Sequence, residues 1–201
     1  MKIVSSCIFV AFLVAPLLGQ QLVATGPRAA VASPLFEAGA GYTYFALDTP
    51  SRQRVFLSGF DANGFVDVTA RWGLMVDSSY ARIGNVLGTG HSGNVSSSLI
   101  GPVFYPAAYG HTRIFVHSLA GVSLVDSAVP VSGTYYLGGT VIRFSYAAGG
   151  GMERPLAGPL AIRVGGDYLR TTFADSSAAM RFQNNLRIVT SLVYRFGSRW
   201  R

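Results

Sequence analysis

The segment Asn185 to Gly197, NLRIVTSLVYRFG, alternates in a way that decides the fold. Leu186, Ile188, Leu192, Tyr194 and Phe196 fall on one side, with Thr190 the single polar interruption. Arg187, Ser191 and Arg195 fall on the other, beside Val189 and Val193. Successive side chains of a pleated strand point to opposite faces, so the apolar set and the arginine set cannot share a surface. An apolar exterior around a polar interior is the arrangement of a β-barrel in lipid, and the same two-faced pattern recurs upstream.

Working back from this strand, the alternation yields seven more. Phe36 to Leu47 turns Ala38, Ala40, Tyr42 and Tyr44 outward and Glu37, Gly39, Gly41 and Thr43 inward. Gly64 to Trp72 places Val66, Val68, Ala70 and Trp72 outward and Asp67, Thr69 and Arg71 inward, and a tight turn near Gly73 leads to Leu74–Ile83, where Asp77 faces with Ser79 and Ala81. Ser97 to Ala107 alternates least well; Pro102 and Pro106 each remove a ladder donor, which predicts a bulge or weak pairing there. Thr112 to Val125 faces Arg113, His117, Gly121 and Ser123 inward, Thr140 to Gly150 faces Arg143 and Ser145 inward, and Leu160 to Phe173 faces Arg163, Gly165, Asp167 and Thr171 inward. Each segment approaches the roughly 9–11 residues with which a tilted strand crosses a bilayer.

The connections alternate too. Segments 48–63, 84–96, 126–139 and 174–184 are long and rich in Ser, Gly, Asp and Thr, whereas those around Gly73, Gly110 and 151–159 are short. Residues 36–201 therefore read as one all-β domain, an eight-stranded antiparallel transmembrane up-and-down barrel with both ends of the chain on the periplasmic side.

Residues 1–19 read as a secretory signal peptide: Lys2, an apolar run from Ile8 to Leu18 and the small Gly19, too short a run for a spanning helix. Cys7 precedes that run, not the end of it where a lipid-bearing cysteine would sit, and the mature chain has no cysteine. Residues 20–35, with Gly26, Pro27 and Pro34, read as irregular. The charged fraction of 12% is low for a soluble surface, yet no apolar stretch after the signal is long enough for a transmembrane helix, which leaves strands facing lipid. Lys2 is the one lysine, so every basic residue of the mature protein is an arginine. The arginines are spread among the strands, not gathered in a stripe, which argues against nucleic-acid binding.

The inward set is the most chemical part of the sequence. Glu37, Asp67, Arg71, Asp77, Arg143, Arg163, Asp167, Arg187 and Arg195 are expected to share a lumen just wide enough for side chains to fill, as a network of ion pairs. That network predicts a plugged barrel; by this count five arginines face four acids, so an open pore would prefer anions. Among the outward residues, Tyr42, Tyr44, Trp72, Tyr80, Tyr105, Tyr146, Tyr168, Tyr194 and Phe196 are expected to form the interfacial girdles.

Signals for chemistry are thin. Gly88 to Gly93 satisfies G-x-G-x-x-G but lies in a loop that leads to a strand, where phosphate binding needs a helix N-terminus. His91, His111 and His117 lack metal-ligand spacing, and His117 cannot serve its strand neighbour Ser118, which points to the opposite face. No cofactor, metal or catalytic residue is expected.

The segments LIGPVFYP (99–106), FVHSLAGVS (115–123), GGGMERPLAGPLAIRVGGDYLRTTF (149–173) and NNLRIVTSLVYRFG (184–197) resemble the small outer-membrane β-barrel proteins of the porin-like, OmpA-type superfamily. The resemblance implies an eight-stranded barrel in the outer membrane of a Gram-negative bacterium, inserted by the barrel-assembly machinery. It implies little about activity. Family members often end on an aromatic residue, whereas this chain runs past Phe196 to Arg201, so Phe196 and Trp200 both stand as the assembly signal. The expected role is structural or a surface interaction, with outer-membrane lipid, lipopolysaccharide and a loop-bound extracellular partner. A narrow anion-preferring channel is the alternative, followed by a lipid-modifying enzyme.

Overall fold

The computed structural model describes residues 36–48, 54–88, 90–127, 129–132, 135–137, 140–174 and 180–197. The expected signal peptide (1–19), the irregular segment (20–35) and Trp200 lie outside the described residues. Strands run β1 (Phe36–Asp48), β2 (Arg54–Asp67), β3 (Trp72–Ile83), β4 (Gly93–Tyr109), β5 (Thr112–Ser127), β6 (Val129–Ser132), β7 (Tyr135–Leu137), β8 (Thr140–Pro155), β9 (Leu160–Ala174) and β10 (Met180–Phe196). Eight of them close into a barrel in the order β1-β10-β9-β8-β5-β4-β3-β2, every pair antiparallel, while β6 and β7 form a separate two-stranded ribbon between β5 and β8.

The paired rows climb as they circle. From Trp72 the row passes through Phe104, Val116, Gly150, Gly166, Ile188, Tyr44 and Ser58 and returns to β3 at Arg82, ten residues further along. A stagger of that size across eight strands requires strongly tilted strands and leaves an interior that side chains can fill.

Odd-numbered residues point in and even-numbered residues out on the barrel strands. Trp72 packs at a tilt against Phe104 (4.7 Å), and Phe196 meets Phe36 (5.4 Å) and Tyr194 (4.6 Å), a belt near the end of the barrel that carries the short turns. Near the other end Tyr44 pairs with Phe56 (5.8 Å) and Phe60 with Tyr80 (5.4 Å), with Tyr42, Tyr146 and Tyr168 also facing out. Between the belts the outward positions include Val76, Ile100, Val164 and Leu192, all exposed. Such a surface is unstable in water and matched to hydrocarbon, so the barrel is transmembrane.

Three expectations need correction. The second strand is not Gly64–Trp72 but Arg54–Asp67, and residues 68–71 are a turn. Thr69 Oγ1 accepts from the amides of Arg71 (3.2 Å) and Trp72 (3.0 Å), so alternation carried by chance through a hydroxyl-stabilised turn. Gly73 is not a turn residue; it is buried in β3, where a Cβ would lie 2.8 Å from the Val66 carbonyl oxygen. Segments 48–63 and 174–184 are mostly strand, because a polar interior gives the inward face the composition of a loop. The bulge falls between Phe104 and Ala107, beside Pro106. At the two-residue turn after β4, Gly110 has φ +58° at the first central position, the sign a type II′ hairpin turn requires.

Candidate functional site: the barrel interior

The interior divides into an ionic part toward the short turns and a part toward the long connections where apolar side chains are packed with buried hydroxyls and amides such as Thr43, Ser97, Ser123, Thr171 and Asn185. Those apolar side chains include Phe45, Leu57, Val95, Leu99, Leu119 and Leu169, all nearly inaccessible. Val86, from the short 3-10 turn Val86–Gly88 between β3 and β4, is buried in the same cluster.

Nearest the short turns, Arg163 on β9 donates through Nη2 to both Glu37 on β1 and Glu153 on β8 and through Nη1 to Asn63 Oδ1 on β2 (3.0 Å). Its guanidinium carbon lies 3.5 Å from the Phe65 ring centroid, with Phe115 beside it at 5.8 Å. Arg113 on β5 pairs with Glu37 (3.3 Å) and Asp67 (3.4 Å) and lies over the Tyr105 ring at 4.3 Å. Inward glycines make the space: a Cβ on Gly151 would lie 2.9 Å from Phe115 Cζ and collide with the β9 backbone.

The next layer centres on Arg187. Its Nε donates to Asp167 Oδ2 (2.8 Å), Nη2 donates to the same oxygen, and Nη1 donates to Asp77 and to Ser79 Oγ (3.1 Å). Asp167 Oδ1 lies 2.5 Å from His117 Nε2. Asn63 joins the layers by donating to Asp61 Oδ1 (2.5 Å) and Ser191 Oγ (3.0 Å). A cavity of about 20 Å³, room for one water, lies among Asn63, Asp77, His117, Arg163 and Asp167.

Of the nine residues expected in the network, Glu37, Asp67, Asp77, Arg163, Asp167 and Arg187 meet in it. Arg71 does not: it is exposed in the turn between β2 and β3. Arg143 and Arg195 face inward but sit half-buried near opposite ends of the barrel, and Arg143 donates to the Ile142 carbonyl (2.9 Å). Tyr105 is corrected from girdle to interior, where it is 9% exposed, because the inward phase of β4 (Leu99, Gly101, Val103) runs through it before the bulge. Asp61, Glu153 and the inward aromatics were missed. Glu153 follows a run of glycines that ended the strand reading at Gly150, although its even spacing from Gly149 and Gly151 keeps the inward phase. Among the described residues the buried network thus holds six carboxylates (Glu37, Asp61, Asp67, Asp77, Glu153, Asp167) and three arginines (Arg113, Arg163, Arg187), not an arginine excess.

His117 faces inward, whereas Ser118 faces outward and donates to the Tyr146 hydroxyl (3.0 Å), so the two belong to different surfaces. Among the described residues no group of three His, Cys, Asp or Glu side chains is placed to hold a metal ion.

No family model matches the chain, and no curated protein matches it in sequence. Solved structures do match in shape. Ail, the attachment invasion locus protein of Yersinia pestis, is 16% identical with a TM-score of 0.56, the match covering 80% of this chain and 97% of Ail. A second Ail structure holds the heparin analogue sucrose octasulfate and matches with a TM-score of 0.55 at 16% identity, over 80% of this chain and 97% of that one. Neisserial surface protein A is 7% identical with a TM-score of 0.64, over 83% of this chain and 99% of its own. At these identities the likeness is one of fold. In fold, this chain is a small eight-stranded antiparallel β-barrel similar to Ail and Neisserial surface protein A.

Proposed function

We propose that this protein is a closed outer-membrane barrel, without catalytic activity, that holds a binding surface for a polyanionic glycan outside the cell. The observation that carries this reading is the asymmetry of the two ends. The short-turn end spends four residues, two residues and four residues on its connections (68–71, 110–111, 156–159). At the other end the strands run on: β8 continues past the outward Tyr146, Phe144 and Ile142 to Thr140, and the β6–β7 ribbon follows β5. Rigid strand beyond the hydrocarbon has no use in spanning it, and loops held on a rigid scaffold are where binding concentrates. This end is therefore assigned to the exterior and the short turns to the periplasm.

The described charges at that end include Arg54, Arg82, Arg143 and Arg170 against Asp48 and Asp126, and Arg54, Arg82 and Arg170 are exposed without an ion pair to any described residue. Guanidinium forks suit sulfate and phosphate groups. The ligand in the second Ail structure belongs to this class and supplies the probe. Full-length protein in nanodiscs is titrated with sucrose octasulfate: salt-sensitive binding that weakens in Arg54→Ala and Arg82→Ala supports the reading, and equal binding by both variants and the parent sinks it.

The closed interior rests on the filled layers described above. An anion-preferring channel loses its basis with the arginine excess, and the separation of His117 and Ser118 onto different surfaces removes the one nucleophile–base pair weighed in the strands.

A further inference from the structure

The lipid-facing side of β9 reads Ile162, Val164, Gly166, Tyr168 and then Arg170, all outward by alternation. Arg170 is exposed, and no carboxylate of a described residue pairs with it. Its guanidinium carbon lies 3.8 Å from the ring centroid of Phe182 on β10. The register sets it beside Tyr146 on β8 and Asn184 on β10, and Tyr168 donates to Asn184 Oδ1 just below.

An arginine facing lipid costs about 2–4 kcal/mol at the midplane and almost nothing at the interface, so its place, level with the belt residue Tyr146 and one outward step beyond Tyr168, is the interface. Phe182 lies under the guanidinium carbon and no described residue takes up its N–H groups, so an edge with paired donors stays available. An edge of that shape accepts a phosphate through two hydrogen bonds. Arg82, on the far side of the barrel, also faces out, two residues beyond Tyr80, but no described ring stacks on it. The ordered site is the one on β9.

We infer that Arg170, held by Phe182 and flanked by Asn184, binds a phosphomonoester of lipid A in the outer leaflet. This rests on the orientation proposed above. The test is native mass spectrometry of the full chain, refolded in detergent, against bisphosphorylated lipid A, dephosphorylated lipid A and phosphatidylglycerol. The expected result is retention of bisphosphorylated lipid A over the other two, weakened about tenfold in Arg170→Ala, less in Arg170→Lys, and unchanged in Arg154→Ala at the opposite belt. Equal retention of dephosphorylated lipid A, equal retention of phosphatidylglycerol, or undiminished binding by Arg170→Ala would each overturn the site. Orientation is measured separately, by protease cleavage within residues 128–139 on intact cells, so failure of the site and failure of the orientation are told apart.

Discussion

The guanidinium of Arg187 on β10 reaches the carboxylate of Asp77 on β3 across the interior, 110 residues away in sequence and three strands away around the wall. With Arg163, which gathers Glu37, Glu153 and Asn63, it ties six of the eight barrel strands through two side chains and the acids and amide they hold. Arginine is the residue suited to this: one planar fork serves several acceptors at once and keeps its charge when buried.

Arg163→Ala removes the shared donor of two buried carboxylates and is predicted to destabilise the folded barrel by about 3–5 kcal/mol. Arg143→Ala, at the half-buried rim, is predicted to change stability by less than about 1 kcal/mol. Urea unfolding in detergent micelles, followed by band shift on electrophoresis, compares them; equal losses would contradict the network drawn here.

How much of this was legible in the sequence follows from what each face must satisfy. The last strand was plain because lipid tolerates no polar residue between Leu186 and Phe196 except Thr190, and the same demand made β5 and β9 readable. β2 was hidden by its own interior: Gly59, Asp61 and Asn63 are inward residues, and a polar, glycine-bearing face has the composition of a connection. Arg71 deceived in the other direction, since a turn closed by Thr69 keeps the strand's alternation for a few residues. The partners of each arginine were not legible, because they depend on a ten-residue stagger that no single segment records.

Gly151→Ala would place a methyl against Phe115 and the β9 backbone, and it is predicted to cost about 1–3 kcal/mol by overpacking. Gly84→Ala, where nothing lies near the added carbon, is the control and is predicted to be near neutral. Thermal unfolding of the two variants in the same detergent checks the difference; a stable Gly151→Ala would mean the strands part more easily than their packing implies.

Val76 lies in the middle of the lipid-facing band of β3, 48% exposed and remote from both belts. Val76→Arg is predicted to lose about 2–4 kcal/mol of folding free energy in lipid vesicles. Arg at position 74, nearer the short-turn belt, is predicted to lose less. A flat response to depth would argue that this face does not meet hydrocarbon.

Leu87 has φ +51°, in the left-handed region that a branched side chain occupies at a cost of about 1–2 kcal/mol. Leu87→Gly relieves that cost and is predicted to stabilise the turn, read as slower amide exchange of Val86, whose N–H donates to the His91 carbonyl (2.8 Å). Faster exchange would show that the leucine side chain holds the turn in place.

The central claim is that the interior is closed, its ionic layers linked and its apolar side chains packed. It is tested most directly by recording current across a planar bilayer containing the refolded full-length protein, with folding verified on the same sample. The account predicts no conductance steps above the bare bilayer; reproducible steps from folded protein, of either ion preference, would contradict it.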